Sequence, residues 1–274
     1  YFAETRCMKI FKCWLAVLVV AGGLNVWIFK LGFADELKKP KMVFIKAGIF
    51  LMGSQEGKGR PDEYPQHKVY LDAFYIDRFE VTGKDFEEYL LANPKEHPPI
   101  TGWWGRQVRP GMKRRPVIGL SWKKCKDYCE WTGKRLATEA EWERAAAGLE
   151  GRKFPWGNGL PDMVRANFNR CCFAMKGLST SEVGSYPLGA TPDKVYDLAG
   201  NIAEWVYDWY DKNYYKQSEY NNPKGPVKGI NHVIRGGAWN SLSGYLRSSA
   251  RYGYDEAKDF YGIGCRCVMS VGEK

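Results

Sequence analysis

Glycine and proline interrupt this chain so often that long helices are disfavoured over most of its length. The 274 residues include 30 glycines and 14 prolines. Glycine adopts backbone conformations that other residues avoid, and proline lacks a backbone donor, so both favour turns. The chain is also 45% apolar, with 11 Trp, 17 Tyr and 13 Phe, which is ample for a packed core. These features predict a globular chain with much irregular structure.

Short segments between the turns carry strand signals. The stretch MVFIKAGIFLMGS (42–54) alternates apolar residues around Ala47-Gly48, which predicts a hairpin, and HKVYLDAFYIDRFEVT (67–82) predicts two more strands. After Gly148, strands are expected only around HVIRGGAW and GIGCRCVMS. The sequence shows no internal repeat, heptad pattern or low-complexity tract. We therefore expect one mixed domain.

Three helices are predicted from capping signals. Thr82 precedes GKDFEEYLLAN with Asp85 in the capping-box position, and Thr138 precedes EAEWERAAAGL with Glu141 in that position. Ser121 is the expected cap of WKKCKDYCEWTGKR, which ends near Gly133.

The amino-terminal segment has the pattern of an export signal. Lys9 and Lys12 precede 17 uncharged residues, Cys13–Phe29, and Gly32-Phe33-Ala34 supplies small residues for cleavage. An uncleaved membrane anchor is the alternative, although 17 residues is short for a span. Either way the rest of the chain is expected on the periplasmic or extracellular face. The predicted organisation is a signal peptide or anchor at 1–34, a charged linker at 35–41 and one domain at 42–271.

The net charge of +10 is partly carried by this leader, and +7 remains on the rest of the chain. Solvated Lys and Arg side chains explain such a balance as well as an anionic partner does. In TGWWGRQVRPGMKRR (101–115), two tryptophans stand beside five cationic residues. A solvated loop or contact with an anionic glycan, a lipid headgroup or an acidic protein explains this stretch. No nucleic-acid partner is expected for an exported domain.

Eight motifs in a fixed order identify a family. They are MVFIKAGIFLMGSQEG, DAFYIDRFEVTGKDFEEYL, PVIGLSWKKCKDYCEWTGKRLATEAEWERAAAG, FPWGN, VGSYP, VYDLAGNIAEWVYDWY, VIRGGAW and GIGCRC. Together they resemble the formylglycine-generating enzyme family, also called the sulfatase-modifying factor family, from about Met42 to Met269. The resemblance implies an α+β fold, an irregular single domain related to C-type lectin folds, with structural calcium.

The resemblance places calcium at the stretch DLAGNIAEWVYDWYD (197–211). It implies side-chain ligands from Asp197 and Glu204 and carbonyl ligands from Gly200 and Ile202, an oxygen set that suits Ca²⁺. The alternative is a helix-capping Asp followed by a surface Glu. A second family calcium site involves Asn167, but residues 168–179 contain no Asp or Glu to complete it.

The resemblance also locates the family's copper site, which uses two cysteines after the Gly-Gly-aromatic motif. Thiolates suit Cu(I), but RGGAWNSLSGYLRSSARYG (235–253) has no cysteine, and Ser241 and Leu246 stand near the expected places. No cysteine lies between Cys172 and Cys265. We therefore expect no copper, no catalytic residues of the family type and no formylglycine-generating activity.

The other cysteines suggest structural roles. Cys125 and Cys129 lie one helical turn apart, and Cys265 and Cys267 lie two apart on an expected strand. The resemblance implies a Cys129–Cys267 disulfide, and the spacing adds a second rung, Cys125–Cys265. A four-thiolate zinc site is the alternative. A vicinal disulfide, free thiols, a bond to a partner or a redox role stay open for the pair at 171–172.

Two functional hypotheses follow. The first is an exported, non-catalytic binding module, acting as an accessory subunit of a membrane or periplasmic complex, with a protein or an anionic glycan as partner and membrane contact through an uncleaved leader. The second is an oxidoreductase of the same family with a non-cysteine site. The binding module would present loops that include Trp103–Arg115 and Asn240–Tyr252 to its partner. The oxidoreductase would use the groove of the family, whose candidate residues are Trp239, Ser241, Tyr245, Arg247, Arg251 and Tyr252.

Overall fold

The computed structural model describes residues 41–99, 101–170, 180–255 and 261–272. All of these residues belong to one compact unit, Lys41–Lys274. The predicted leader and the cysteines at 171–172 therefore lie outside the described residues. Within the four described ranges, no helix has the length and apolar character needed to cross a membrane.

The described residues form twelve strands and three α-helices. The strands are β1 Met42–Ile45, β2 Gly48–Met52, β3 His67–Leu71, β4 Phe74–Asp77, β5 Trp103–Trp104, β6 Gln107–Val108, β7 Arg135–Leu136, β8 Ala203–Trp209, β9 His232–Arg235, β10 Arg251–Tyr254, β11 Ile263–Cys265 and β12 Cys267–Ser270. The helices are α1 Gly83–Ala92, α2 Trp122–Trp131 and α3 Glu139–Ala147. Short 3-10 turns and irregular segments connect them, as the glycine and proline content predicts. The α+β prediction is confirmed.

Two four-stranded sheets organise the domain. The first has the order β1-β4-β12-β7, and the second has the order β10-β9-β8-β11. Within the second sheet β8 pairs antiparallel with β9, placing Glu204 opposite Arg235, and parallel with β11. Two smaller ladders, β2-β3 and β5-β6, complete the sheet structure of the described residues.

Apolar side chains form two main cores. One joins strands β1–β4 to the inner face of α3, with Trp142 and Phe50 among its largest members. The other packs α1 and α2 against β8 and β11 and includes Phe86, Tyr128 and Trp205. Burying large aromatic side chains contributes about 1.5–3 kcal/mol each, so these two layers hold the sheets and helices together.

The predicted helix caps are confirmed. Thr82 and Asp85 form a capping box at α1, and Thr138 and Glu141 form another at α3. Ser121 accepts a hydrogen bond from the Lys124 amide at the start of α2.

Two strand predictions need correction. Strands β1 and β2 do not pair as a hairpin: β1 pairs with β4 and β2 pairs with β3, because the chain changes sheets around Gly48. The segment GIGCRCVMS is two strands, since β11 belongs to the second sheet and β12 to the first, with Arg266 at the crossing. Strands β8 and β10 were not predicted.

Candidate functional site

A groove of about 410 Å³ lies along β8, β9 and β10 and the turn that follows β9. Its wall is largely apolar, with hydroxyl groups on one side. The lining residues are Ala203, Ile234, Arg235, Gly237, Ala238, Asn240, Ser241, Leu242, Tyr245, Tyr252, Gly253 and Tyr254.

The turn after β9 shapes one wall of this groove. Gly237 has a φ of +69°, and a Cβ there would lie 3.2 Å from the Tyr245 carbonyl oxygen, so glycine is required at this position. The Ala238 amide donates to Ser241 Oγ at 2.9 Å, and the Ser241 amide donates to the Ala238 carbonyl at 2.8 Å. This reciprocal pair fixes the turn and holds the Ser241 hydroxyl beside the groove.

Aromatic stacking forms another part of the wall. The Tyr245 and Tyr252 rings are stacked with centroids 4.7 Å apart and planes inclined by 15°. The Arg60 guanidinium lies over the outer part of this stack, 4.4 Å from the Tyr252 ring centroid. Burial raises the pKa of the Tyr252 phenol, so this hydroxyl is protonated at neutral pH. Tyr245 is 41% exposed and is available to a ligand.

The positions that resemble the copper-binding cysteines offer no copper ligand. Ser241 Oγ accepts the Ala238 amide, and Leu246 is 0% exposed, packed in an apolar cluster with Phe154 and Phe168. Among the described residues, the groove lining contains no His, Cys, Asp or Glu. This set of hydroxyls, phenols and amides does not fit a Cu(I) centre, which takes soft ligands.

Three of the six predicted groove residues line the groove: Ser241, Tyr245 and Tyr252. Trp239 is buried and is absent from the lining. Arg247 is turned to another pocket and pairs with both oxygens of Glu63. The spacing of these residues along an irregular segment did not reveal which side chains face the same way.

Arg251 belongs to a buried ion network that the sequence did not reveal. Its Nε and Nη2 donate to the two oxygens of Glu139 at 2.7 and 2.8 Å, and Arg235 donates to Glu139 and Glu143. Burial opposes the charged form, but the Glu139 carboxylate raises the pKa of Arg251 above its ordinary value. Arg251 is therefore a structural cation. The Glu139/Glu143 spacing of four residues on α3 was the available signal.

The predicted calcium ligands lie in the interior. Asp197 has a φ of +60° and accepts the Gly184 amide at 2.7 Å. Glu204 lies in β8 and accepts from Trp142 Nε1 at 2.8 Å and from the Arg266 guanidinium. Asp197 therefore caps no helix, and Glu204 is not a surface residue, so the alternative interpretation of this stretch is wrong.

Excess negative charge surrounds these two residues. The Glu80 carboxylate is also buried here, and its oxygens accept from Asn201 Nδ2 and the Ile202 amide. Burial raises the pKa of Asp197 to about 6, and burial together with Asp197 and Glu204 raises the pKa of Glu80 well above its ordinary value. Three carboxyl groups thus face the single guanidinium of Arg266.

This charge balance suits a dication, but the side chains do not converge on one point. No group of three or more His, Cys, Asp and Glu residues within the described ranges is arranged to hold a metal ion. Glu204 already has three donors. Asn167, named for a second site, donates to Asn201 Oδ1 at 3.2 Å in the interior. Calcium at Asp197, Gly200, Ile202 and Glu204 stays a prediction.

The cysteines agree with the predictions in part. Cys129 and Cys267 form a disulfide, with Cα atoms 5.6 Å apart, which rules out a four-thiolate zinc site. Cys125 and Cys265 are buried free thiols. The second predicted rung is not formed in the structure, where the Cys125 and Cys265 thiols are neighbours that interact by a hydrogen bond. Burial, followed by the hydrogen bond and charge of Cys265, raises the pKa of Cys125 well above its ordinary value.

Comparison with known proteins decides the family. The model of the "Sulfatase-modifying factor enzyme 1-like domain" matches residues 30–271. The chain belongs to this family. The identification from the eight ordered motifs is therefore confirmed.

Relatives of this family include proteins named as active and as inactive enzymes. A mouse formylglycine-generating enzyme is 31% identical, covering 83% of this chain and 74% of its own length. The mouse "Inactive C-alpha-formylglycine-generating enzyme 2" is 30% identical, covering 89% of each chain. Overall identity thus does not separate the two kinds of family member.

A longer relative and a solved structure extend the comparison. The "Serine/threonine-protein kinase pkn1" of Chlamydia caviae is 37% identical over 84% of this chain, and the match spans 38% of that protein's length. The structure of PvdO from Pseudomonas aeruginosa superposes with a TM-score of 0.70 at 29% identity, covering 85% of this chain and 95% of that one. The sulfatase-modifying factor fold is thereby confirmed.

Proposed function

We propose that this member of the sulfatase-modifying factor family is a binding module that recognises a protein partner through the groove beside β10. The observation that carries the proposal is the chemistry of the two positions that resemble the copper cysteines. The Ser241 hydroxyl accepts a hydrogen bond from the Ala238 amide within a turn, and Leu246 is buried in an apolar cluster. The described part of the groove lining offers no soft ligand, and this does not favour copper-dependent oxygen activation there.

The remaining lining also gives little support to oxidation by another route. No described residue of the lining is His, Cys, Asp or Glu, the usual general acids, bases and metal ligands. Arg235, a cation among the described lining residues, is engaged by Glu139 and Glu143 in the interior. We therefore do not favour the oxidoreductase alternative.

The groove has properties that suit an apolar or aromatic side chain of a protein partner. Exposed Leu242 and the stacked Tyr245 and Tyr252 present a continuous apolar and aromatic surface. Tyrosine is enriched at protein interfaces because its ring contributes large contact area at low entropic cost. Arg60, over Tyr252, adds one positive charge at the rim. An anionic glycan would find few charges here.

The expected cellular location of this partner is inferred from the amino-terminal segment. Residues 8–34 have the pattern of an export signal or anchor, so we propose a partner in a membrane-associated complex on the periplasmic or extracellular face. Mass spectrometry of the mature amino terminus distinguishes cleavage from retention. A mature chain that keeps the segment and stays in the cytosolic fraction would contradict this placement.

Site-specific photocrosslinking tests the groove itself. A photoreactive phenylalanine analogue replaces Tyr245, and in a matched control it replaces Tyr220, which has similar exposure (46% against 41%) but lies outside the groove lining. In intact cells we expect one discrete adduct from position 245, lost when Leu242→Asp is added, and none of that mass from position 220. Equal adducts from both positions would contradict a partner in the groove.

A further inference from the structure

A second cavity of about 500 Å³ lies on the far side of Arg247, between the turn after β2 and the segment that follows α3. We call it the polar pocket. Its lining residues are Leu51, Gly53, Ser54, Gln55, Gly57, Lys58, Gln66, Glu143, Ala147, Gly151, Arg152, Lys153, Asn158, Arg247, Ser248 and Ser249. It shares no lining residue with the groove.

The chemistry of the polar pocket is that of a site for a hydroxylated ligand. Three serine hydroxyls and three side-chain amides line it, from Ser54, Ser248, Ser249, Gln55, Gln66 and Asn158. No aromatic side chain of the described residues contributes to the lining, so this lining offers no stacking surface. Small-molecule sites commonly have volumes of about 300–1,000 Å³, and this pocket lies within that range.

The charges of the polar pocket leave a positive excess at its rim. Glu143 in its wall is paired with Arg235, Arg247 is paired with Glu63, and Arg152 Nη1 contacts Glu150 at 2.8 Å. Two exposed lysines remain, and neither forms an ion pair with any described residue. Lys58 donates to the Gln55 side chain, and Lys153 lies over the Phe154 ring.

Two buried donors in the wall also lack partners. Ser248 is 2% exposed, and its Oγ has no hydrogen-bond partner among the described residues. The same holds for Arg152 Nε. These groups belong to adjoining segments, because the Ser248 amide donates to the Lys153 carbonyl at 2.8 Å. Leaving a buried donor unsatisfied is destabilising, and an anion bound where the segments meet would offset this cost.

We propose that the polar pocket binds a small hydroxylated phosphomonoester, of which a sugar phosphate is the simplest example. The phosphate lies towards Lys58, Lys153 and Arg152, the cations that bind phosphate oxygens in proteins. The hydroxyl groups of the ligand face the serines and amides. This site is separate from the groove, and the proposed phosphomonoester binding does not depend on the function proposed for the groove.

Calorimetric titration of the full chain with glucose 6-phosphate, inorganic phosphate and glucose tests this inference. We expect glucose 6-phosphate to bind more tightly than inorganic phosphate, and glucose not to bind. Ser248→Ala removes a hydroxyl without a partner among the described residues, so it should not lower the melting temperature of the free protein, and it should weaken binding about fivefold. The double variant Lys58→Gln/Lys153→Gln should weaken binding about tenfold.

A matched variant controls for overall charge. Lys46→Gln/Lys228→Gln removes two exposed lysines that do not line the polar pocket, and it should bind glucose 6-phosphate as the unmodified protein does. Equal weakening in both double variants, or no binding at millimolar ligand, would overturn the site. Inorganic phosphate binding as tightly as glucose 6-phosphate would overturn the recognition of the hydroxylated part.

Discussion

Arg266 and Glu204 form an ion pair inside the domain, with Arg266 Nη2 2.8 Å from Glu204 Oε1 and each residue 1% exposed. Arg266 lies where the chain leaves the second sheet at β11 and enters the first at β12. It also donates to the Asp77 and Tyr196 carbonyls. One guanidinium thus joins both sheets and faces the carboxyl groups of Glu80, Asp197 and Glu204.

Removing this guanidinium should destabilise the domain strongly. In Arg266→Met the charge is lost while the apolar stem is kept, so Glu204 is left buried without its cation. Breaking a buried pair in this way costs about 3–5 kcal/mol, measured as the free energy of unfolding in urea. Lys123→Met, which breaks a surface pair with Asp127, should cost under about 1 kcal/mol. Equal losses in the two variants would contradict a structural role for Arg266.

Calcium should stabilise the metal-free protein. Three buried carboxyl groups face one guanidinium, and a bound dication would reduce the repulsion between the carboxylates. We expect added calcium to raise the melting temperature after chelation, and magnesium to do so less because it requires smaller, more regular coordination. Asp197→Asn should abolish the calcium effect. Superimposable melting curves with calcium and with chelator would refute the predicted site.

The four described cysteines should form one disulfide and leave two free thiols. Peptide mapping of the unreduced, denatured and alkylated protein should recover Cys129 linked to Cys267, with Cys125 and Cys265 alkylated. The bond closes a separation of 138 residues, so Cys129→Ser/Cys267→Ser should lower the free energy of unfolding by about 5 kcal/mol on the chain-entropy model.

The matched control is Cys125→Ala/Cys265→Ala, which removes two buried thiols without opening a cross-link. It should cost less than the serine pair, since only packing contacts are lost. Recovery of a Cys125–Cys265 peptide would contradict the free thiols.

Glu63 should contribute to the acid stability of the domain. Burial alone would raise its pKa, but hydrogen bonds and charge from Arg247, with Ser54 and Ser249, lower the pKa below the ordinary 4.5. The stabilisation is therefore present above about pH 4.5 and is lost as pH falls through the folded-state pKa. Glu63→Gln should be less stable than the unmodified protein at pH 7, and the difference should shrink below pH 4.5. A difference that does not depend on pH would contradict this assignment.

Local signals in the sequence predicted the helices well. Caps at Thr82, Ser121 and Thr138 depend only on residues within one turn, so no distant contact was needed to recognise them. Pairing between strands depends on distant partners. The apolar alternation of 42–54 therefore predicted strands β1 and β2 correctly, but it led us to pair them with each other. In the structure β1 pairs with β4 and β2 pairs with β3.

The site was less predictable because irregular segments have no fixed side-chain period. Ser241, Tyr245 and Tyr252 line the groove in the structure, but spacing alone could not show that Arg247 faces a different pocket. Strand β8 was not recognised in the sequence because it is buried on both faces over most of its length. The segment AEWVYDW therefore lacks the alternation of apolar and polar residues that marks a half-exposed strand.

The formation of formylglycine tests the central claim most directly. The purified full chain, supplied with copper and a reductant, is incubated with a cysteine-containing sulfatase peptide, and the peptide is analysed by mass spectrometry. Mouse formylglycine-generating enzyme serves as the positive control. We predict an unchanged peptide mass with this protein, because Ser241 and Leu246 supply no thiolate. Appearance of the aldehyde product in proportion to the protein added would contradict the account.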